Sequence, residues 1–252
     1  MELFDLKGRV AIVTGGGSGL GHGYSVNLAK AGATVYMFGR SEKPLKETAD
    51  EIAVFGGTSY ACIGDITSTT DIADTVKTIY DKEGHIDILV NNAGTEIAEP
   101  FLSVTEEHFD TIMGVNIKGT YMMAKEVAAY MTKQKSGKII NIASLGSYIG
   151  LADSTVYCSS KGAVVQFTKA IAIELAKYNI QVNAIAPGYF MTEMTRPFFE
   201  DEDHSKWIKE RIPLGYVGTE ADLAGTVIFL ASHASDYVTG QTILVDGGWM
   251  AG

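Results

Sequence analysis

A chain of 252 residues, 46% apolar and with a formal net charge of −10, is long enough for one large α/β domain with a sizeable core. That acidic balance argues against a nucleic-acid backbone or an anionic membrane surface as the main partner, because both require a basic face. Its two cysteines, Cys62 and Cys158, form neither a disulfide framework nor a CxxC metal spacing, and no apolar run approaches the ~20 residues that span a bilayer. With no signal-peptide pattern in MELFDLKGRVAIVTGG, the expected setting is a reducing, cytoplasmic one.

In chain order, a β-branched run at 10–13 reads as a strand and a helix follows from 19 to 31, closed by Gly32. Further strands are expected at 34–38, 86–90, 138–142, 180–185 and 242–245, several apolar on both faces as in a buried parallel sheet. Helical spacing marks 68–82, 106–133, 156–177 and 221–231. This alternation predicts one Rossmann-type, doubly wound α/β domain over residues 1–252. The exception is about 188–210, which contains MTRPFFEDEDHSKW. A segment that long and that polar is expected to act as a lid or binding segment, with a solvated helical excursion as the alternative.

The first strand runs directly into Thr14-Gly15-Gly16-Gly17-Ser18-Gly19-Leu20-Gly21, and then a helix begins. Glycines there let the backbone turn tightly and let the free N–H groups of the helix start approach a pyrophosphate. The spacing is TGxxxGxG rather than GxGxxG. With this motif the chain resembles the short-chain dehydrogenase/reductase family, and the likeness extends over nearly its whole length. Asn91-Asn92-Ala93-Gly94 is similar to the family's NNAG segment, and Asp65 with Ile66 stands where an adenine contact is implied. Pro187-Gly188 with Thr192 resembles the PGxxxT segment on the nicotinamide side, and Val245-Asp-Gly-Gly is similar to the C-terminal VDGG.

A carboxylate at the end of the second strand would select NAD by binding the ribose 2′-hydroxyl. Gly39 stands there instead, followed by Arg40 and Ser41, a guanidinium and a hydroxyl suited to a 2′-phosphate. NADP(H) is therefore favoured, with NAD(H) also open.

The chemical residues follow the same pattern. Tyr157 and Lys161 are four apart on a helix and share a face, so the ammonium is expected to lower the phenol's pKa toward useful proton transfer. Ser144 follows the strand at 138–142 and is placed to steady a substrate oxygen. Asn116 matches the family's active-site asparagine, which the resemblance implies holds a water of a proton relay through Lys161. A YxxxK pair or a serine after a strand means little alone; their order alongside the glycine turn and NNAG carries the reading. No metal is expected: His85, His108, His204 and His233 show no ligand spacing, and His22 reads as a solvated helix-start residue.

In the C-terminal half, Ala184-Ile-Ala-Pro-Gly-Tyr189, Arg211-Ile-Pro-Leu-Gly215 and Phe229-Leu-Ala-Ser232 are most similar to the branch of gluconate 5-dehydrogenases and 2-deoxy-gluconate 3-dehydrogenases. The resemblance implies a secondary alcohol or ketone of a sugar acid as substrate, and a homotetramer. Arg196 and Lys206 are the candidate cations for a carboxylate, although Glu200-Asp-Glu-Asp203 lies between them. Tyr189, Phe190, Met191, Met194 and Phe198 suit an apolar pocket wall. A general carbonyl or 3-oxoacyl reductase, a polyol dehydrogenase and a non-catalytic dinucleotide-binding regulator stay open as alternatives.

Overall fold

Strands buried on both faces need apolar side chains at every position, and this chain supplies them in the middle of its sheet. In the computed structural model, which describes residues 2–193 and 195–252, β1 (Val10–Thr14), β4 (Ile88–Asn91) and β5 (Gly137–Ile142) are buried at every position. With β2 (Thr34–Gly39), β3 (Thr58–Ile63), β6 (Ile180–Pro187) and β7 (Thr242–Val245) they form one parallel sheet in the order β3-β2-β1-β4-β5-β6-β7. The order reverses between β1 and β4, and ligands of open α/β sheets bind beyond the carboxyl ends of the strands at such a point.

The period-2 alternation of β1 divides the core. Ala11 and Val13 face one layer, where α1 (Gly19–Lys30), α2 (Glu42–Val54) and α9 (Glu220–Ala231) contribute Tyr24, Leu45, Ile52 and Val227. Val10 and Ile12 face the other, where α3 (Thr69–Glu83) and α5 (Thr120–Gln134) contribute Val76, Met123 and Val127, and α6 (Thr155–Leu175) contributes Ala172.

Two elements have no counterpart among the segments read from sequence. β3 is an edge strand with mostly exposed positions, and its Thr-Ser-Tyr-Ala-Cys-Ile has only one β-branched aliphatic residue, Ile63. α2 buries only Leu45, Thr48 and Ile52, and its Pro44 sits in the first turn, where a missing N–H does no harm. The single helix expected at 106–133 is instead α4 (Glu106–Met113), a π-helical turn at Gly114–Gly119, and α5.

The stretch at 188–210 is not a plain loop. It folds into α7 (Pro197–Glu200) and α8 (Glu202–Arg211), with the Asp201 carboxylate accepting the His204 N–H at 2.8 Å. The acidic run that looked irregular thus places Asp201 at the N-cap and Glu202 and Asp203 in the first turn of α8, where negative charge is favoured. Met194, expected on the pocket wall, lies outside the described residues.

Candidate active site

The turn between β1 and α1 is set by close packing. Gly15 takes a left-handed φ of +65° and donates its N–H to the Phe38 carbonyl at 2.7 Å. A Cβ on Gly21 would stand 2.0 Å from the Gly15 carbonyl oxygen and 2.4 Å from Asn92 Nδ2, so no larger residue fits there. Asn92 locks the turn from the neighbouring strand, donating its amide to the carbonyls of Thr14 (3.0 Å) and Gly15 (3.3 Å). The Thr14 hydroxyl in return accepts the N–H groups of Asn92 (3.0 Å) and Ala93 (2.9 Å). Ser18 caps α1 without bonding its backbone, which leaves the first-turn N–H groups turned outward toward an anion.

That turn floors a cleft of about 480 Å³ which runs along the carboxyl ends of the central strands. Gly15, Gly17, Ser18, Gly19 and Leu20 line its middle, and Arg40, Ser41, Asp65 and Ile66 line one end. Asn92, Ala93, Gly94, Ser144, Tyr157, Lys161, Pro187, Gly188 and Thr192 line the rest. Of the residues expected at the site, only Gly21 and Asn116 stand behind this surface. Arg40 and Ser41 are exposed, and no carboxylate borders the cleft between Phe38 and Leu45. Asp65, which follows the neighbouring strand β3 at the same end, spends one carboxylate oxygen on the Thr67 N–H and hydroxyl, both at 2.8 Å. A glycine-tight turn, free helix-start N–H groups and the Arg40 guanidinium at one end fit a nicotinamide dinucleotide.

At the other end, Ser144 Oγ accepts the Gly146 N–H at 3.1 Å, which leaves its own proton free to point at the Tyr157 phenol or at a substrate oxygen. Lys161 is buried, and its Nζ donates to the Ile142 carbonyl at 2.8 Å and lies 5.8 Å from the Tyr157 ring centre. The electrostatics differ from the expectation of a depressed phenol. Burial of its hydroxyl end pushes Tyr157 up to about 12, and the Ser144 hydrogen bond only partly opposes this. Burial likewise brings Lys161 down to about 8. At neutral pH, then, Tyr157 holds its proton.

Asn116, fully buried in the π turn, uses its whole amide. Its Oδ1 accepts the Thr95 N–H (2.8 Å), and its Nδ2 donates to the Thr95 carbonyl (2.9 Å) and to Ser160 Oγ (3.0 Å). Both amide protons are thus engaged, and the side chain ties Thr95 to the helix that carries Tyr157.

Comparison with known proteins matches this arrangement to a family. The family described as enoyl-(acyl carrier protein) reductase matches residues 15–250. A 2-dehydro-3-deoxy-D-gluconate 5-dehydrogenase of Dickeya dadantii is 43% identical over 252 residues, covering 100% of this chain and 99% of that one. The chain belongs to the short-chain dehydrogenase/reductase family. As a member it is an oxidoreductase acting on CH–OH groups. A 5-keto-D-gluconate 5-reductase of Escherichia coli is 36% identical, covering 99% of this chain and 98% of that one. A crystal structure of a gluconate 5-dehydrogenase from Burkholderia cenocepacia, in complex with NADP and tartrate, superposes with a TM-score of 0.96 at 37% identity, over 100% of this chain and 98% of that one.

Within this dehydrogenase, several residues sit differently from their sequence expectation. Lys206 pairs with Glu210 at 3.8 Å on an exposed face, and neither it nor exposed Arg196 lines the cleft. The cation missed by sequence is Arg211, at the end of α8. Its guanidinium carbon lies 4.9 Å from the Trp249 ring centre and 5.7 Å from that of Trp207; burial raises the Tyr189 phenol, and the Arg211 charge opposes that rise in part. Tyr189 packs on Trp249 with the rings tilted and their centres 4.9 Å apart, and Phe198 joins them around Leu145, next to Ser144. Phe190 belongs to the main core and reaches the cleft, while Met191 is exposed. His22 is not simply solvated. Its two ring nitrogens meet Glu220 at 2.7 Å and Glu51 at 2.8 Å, and chiefly the Glu220 bond raises it to about 9.

Proposed function

We propose that this protein interconverts a secondary hydroxyl and a ketone of a sugar acid such as gluconate and 5-keto-gluconate, using NADP(H). The observation that carries the reading is the convergence of Ser144, Tyr157 and Lys161 at one end of a cleft whose other end carries Arg40, with no carboxylate lining it between Phe38 and Leu45. Bound nicotinamide supplies the hydride. The chain's residues supply the rest. Gly17, Ser18, Gly19 and Leu20 offer backbone N–H groups to the pyrophosphate, and Asp65, Ile66 and the Asn92-Ala93-Gly94 segment flank the adenosine side. Pro187, Gly188 and Thr192 close over the nicotinamide end.

In reduction, Tyr157 donates its phenol proton to the carbonyl oxygen while the Ser144 hydroxyl holds that oxygen as charge develops on it. Lys161, with its charge against the Ile142 carbonyl, stabilises the phenolate that remains. With Tyr157 raised to about 12, the protonated form that reduction requires is the one present near neutral pH. Oxidation needs the phenolate and therefore speeds up as pH rises.

The names of the relatives support a sugar acid, and Arg211, held against Trp249, is the cation placed to meet its carboxylate. The aromatic wall of Tyr189, Trp249 and Phe198 favours, as a second reading, a plainer ketone or a polyol. The segment at 188–210 is the substrate lid in this account. We also assign the protein to a reducing, cytoplasmic setting, consistent with its two free cysteines, and to a homotetramer. Exposed Phe109, Tyr121, Ile173 and Leu244 on α4, α5, α6 and the edge strand β7 support such assembly.

The test is a panel of gluconate, keto-gluconates, polyols and simple ketones, each with NADP(H) and with NAD(H), followed by nicotinamide absorbance. The proposal predicts the highest kcat/KM for a sugar acid with NADP(H). Activity confined to hydrophobic ketones would overturn the substrate, and a strong NAD preference would overturn the reading of Gly39 and Arg40.

A further inference from the structure

The loop leaving β4 carries an acid that the mechanism above does not use. Asn116 grips Thr95 through both its N–H and its carbonyl, so the backbone just before Glu96 is fixed. Glu96 is thereby brought to the start of α6, where one carboxylate oxygen accepts the hydroxyl proton of buried Ser154. The Glu99 N–H donates to the Asp153 carbonyl at 2.7 Å and ties the rest of the loop to the same place. Ser154, Tyr157 and Lys161 stand at i, i+3 and i+7 along α6, which is one face of a helix. A carboxylate anchored at the first therefore overlooks the space shared by the phenol and the ammonium. Its charge is felt there: it pushes Tyr157 up, supports the charge on Lys161, and reaches Tyr189.

Holding a part-buried carboxylate with only a hydroxyl for company is unfavourable unless another donor arrives. Glu96 pairs with no cation among the described residues, and its second oxygen has no hydrogen-bond partner among them. Nor does it help proton transfer, since a negative charge beside Tyr157 works against the phenolate. What it offers is a strong acceptor, held beside Thr95, which lines the cleft, and three residues along the chain from Tyr157 through its bond to Ser154. Arg211, held against Trp249, carries the opposite sign and acts on the same Tyr189.

We infer that Glu96 is a substrate-orienting residue: its free carboxylate oxygen accepts a hydrogen bond from the hydroxyl adjacent to the reacting carbon. The site accordingly takes α-hydroxy ketones and vicinal diols, and it turns any substrate carboxylate away from Glu96 toward Arg211. This inference rests on the hydride chemistry proposed at Tyr157 but not on the identity of the sugar acid.

The experiment compares 3-hydroxy-2-butanone with 2-butanone, both reduced by the purified enzyme with NADPH. The wild type is expected to prefer the hydroxylated ketone at least tenfold in kcat/KM, the range for a hydrogen bond to a charged group. Glu96→Ala should bring that ratio to within about twofold of unity, with the loss falling on the KM of the hydroxy ketone, and Glu96→Gln, which keeps the shape, should lower it at least threefold. A preference that survives both substitutions overturns the inference. So does an equal loss on both ketones, which would assign Glu96 to fold support or to Tyr157. If the wild type reduces both ketones equally well, only the Glu96 assignment falls; if it reduces neither while turning over a sugar acid, the claim that the site takes simple α-hydroxy ketones falls and the hydride chemistry stands.

Discussion

The two ends of the cleft are built from different materials. The cofactor end is backbone: the Gly15 turn, the first-turn N–H groups of α1, and an asparagine that hydrogen-bonds main-chain carbonyls. The other end is side chains borrowed from distant segments, with Ser144 after β5, Tyr157 and Lys161 on α6 and Thr192 after β6, and the proposed substrate contacts Glu96 and Arg211 come from further segments still. A site made of backbone tolerates one residue type at each position, whereas a site made of side chains can be assembled in many ways. The first should therefore fail abruptly on substitution and the second by degrees.

The sharpest break should come at Gly21. Gly21→Ala puts a methyl group into the Gly15 carbonyl, and we expect a loss of about 3 kcal/mol in stability together with NADPH binding, read by thermal melting and fluorescence titration. A variant with normal melting and normal binding would erase the contrast between the two ends. At the other end, Arg211→Gln should raise KM for an aldonate about 30-fold, or about 2 kcal/mol, with little change in NADPH affinity. An equal rise for a neutral polyol would show that Arg211 supports the wall and not the carboxylate. Arg40→Ala should weaken NADP(H) about tenfold and leave NAD(H) within about twofold in direct titrations. Equal weakening of both cofactors would remove the 2′-phosphate from its role.

The smallest effect concerns His22, which joins α1 to α2 and α9 through Glu51 and Glu220. Its folded value near 9 lies above the ordinary 6.5, so the stabilisation is complete below about pH 6.5 and disappears as pH rises through 9. Both glutamates are partly exposed, so solvent screening reduces it to about 1–2 kcal/mol. The melting difference between wild type and His22→Gln should be present at pH 6 and gone by pH 10. A difference that persists at pH 10 would mean packing, not charge.

Legibility in sequence followed the same divide. The TGxxxGxG turn, NNAG, Ser144 and the Tyr157/Lys161 pair were readable because sterics or helix spacing leave few alternatives at those positions. Most strands of the parallel sheet were readable from their unbroken apolar runs, while edge strand β3 and polar α2 were not, since each buries too little to leave a pattern. Lys206 looked like a carboxylate ligand by charge alone, but its helix turns it to Glu210, and Arg211, the next basic residue but one, takes the position beside Trp249. The raised Tyr157 was also hidden, because it depends on how deeply the phenol is enclosed and not on the nearby lysine.

The central claim is that Tyr157 transfers the proton to or from the substrate oxygen. Its most direct test is Tyr157→Phe, assayed for turnover of the best sugar-acid substrate and titrated with NADPH in parallel. The account predicts a fall in kcat of about 10³-fold or more, with NADPH affinity within about twofold of wild type. Turnover near the wild-type rate would contradict it.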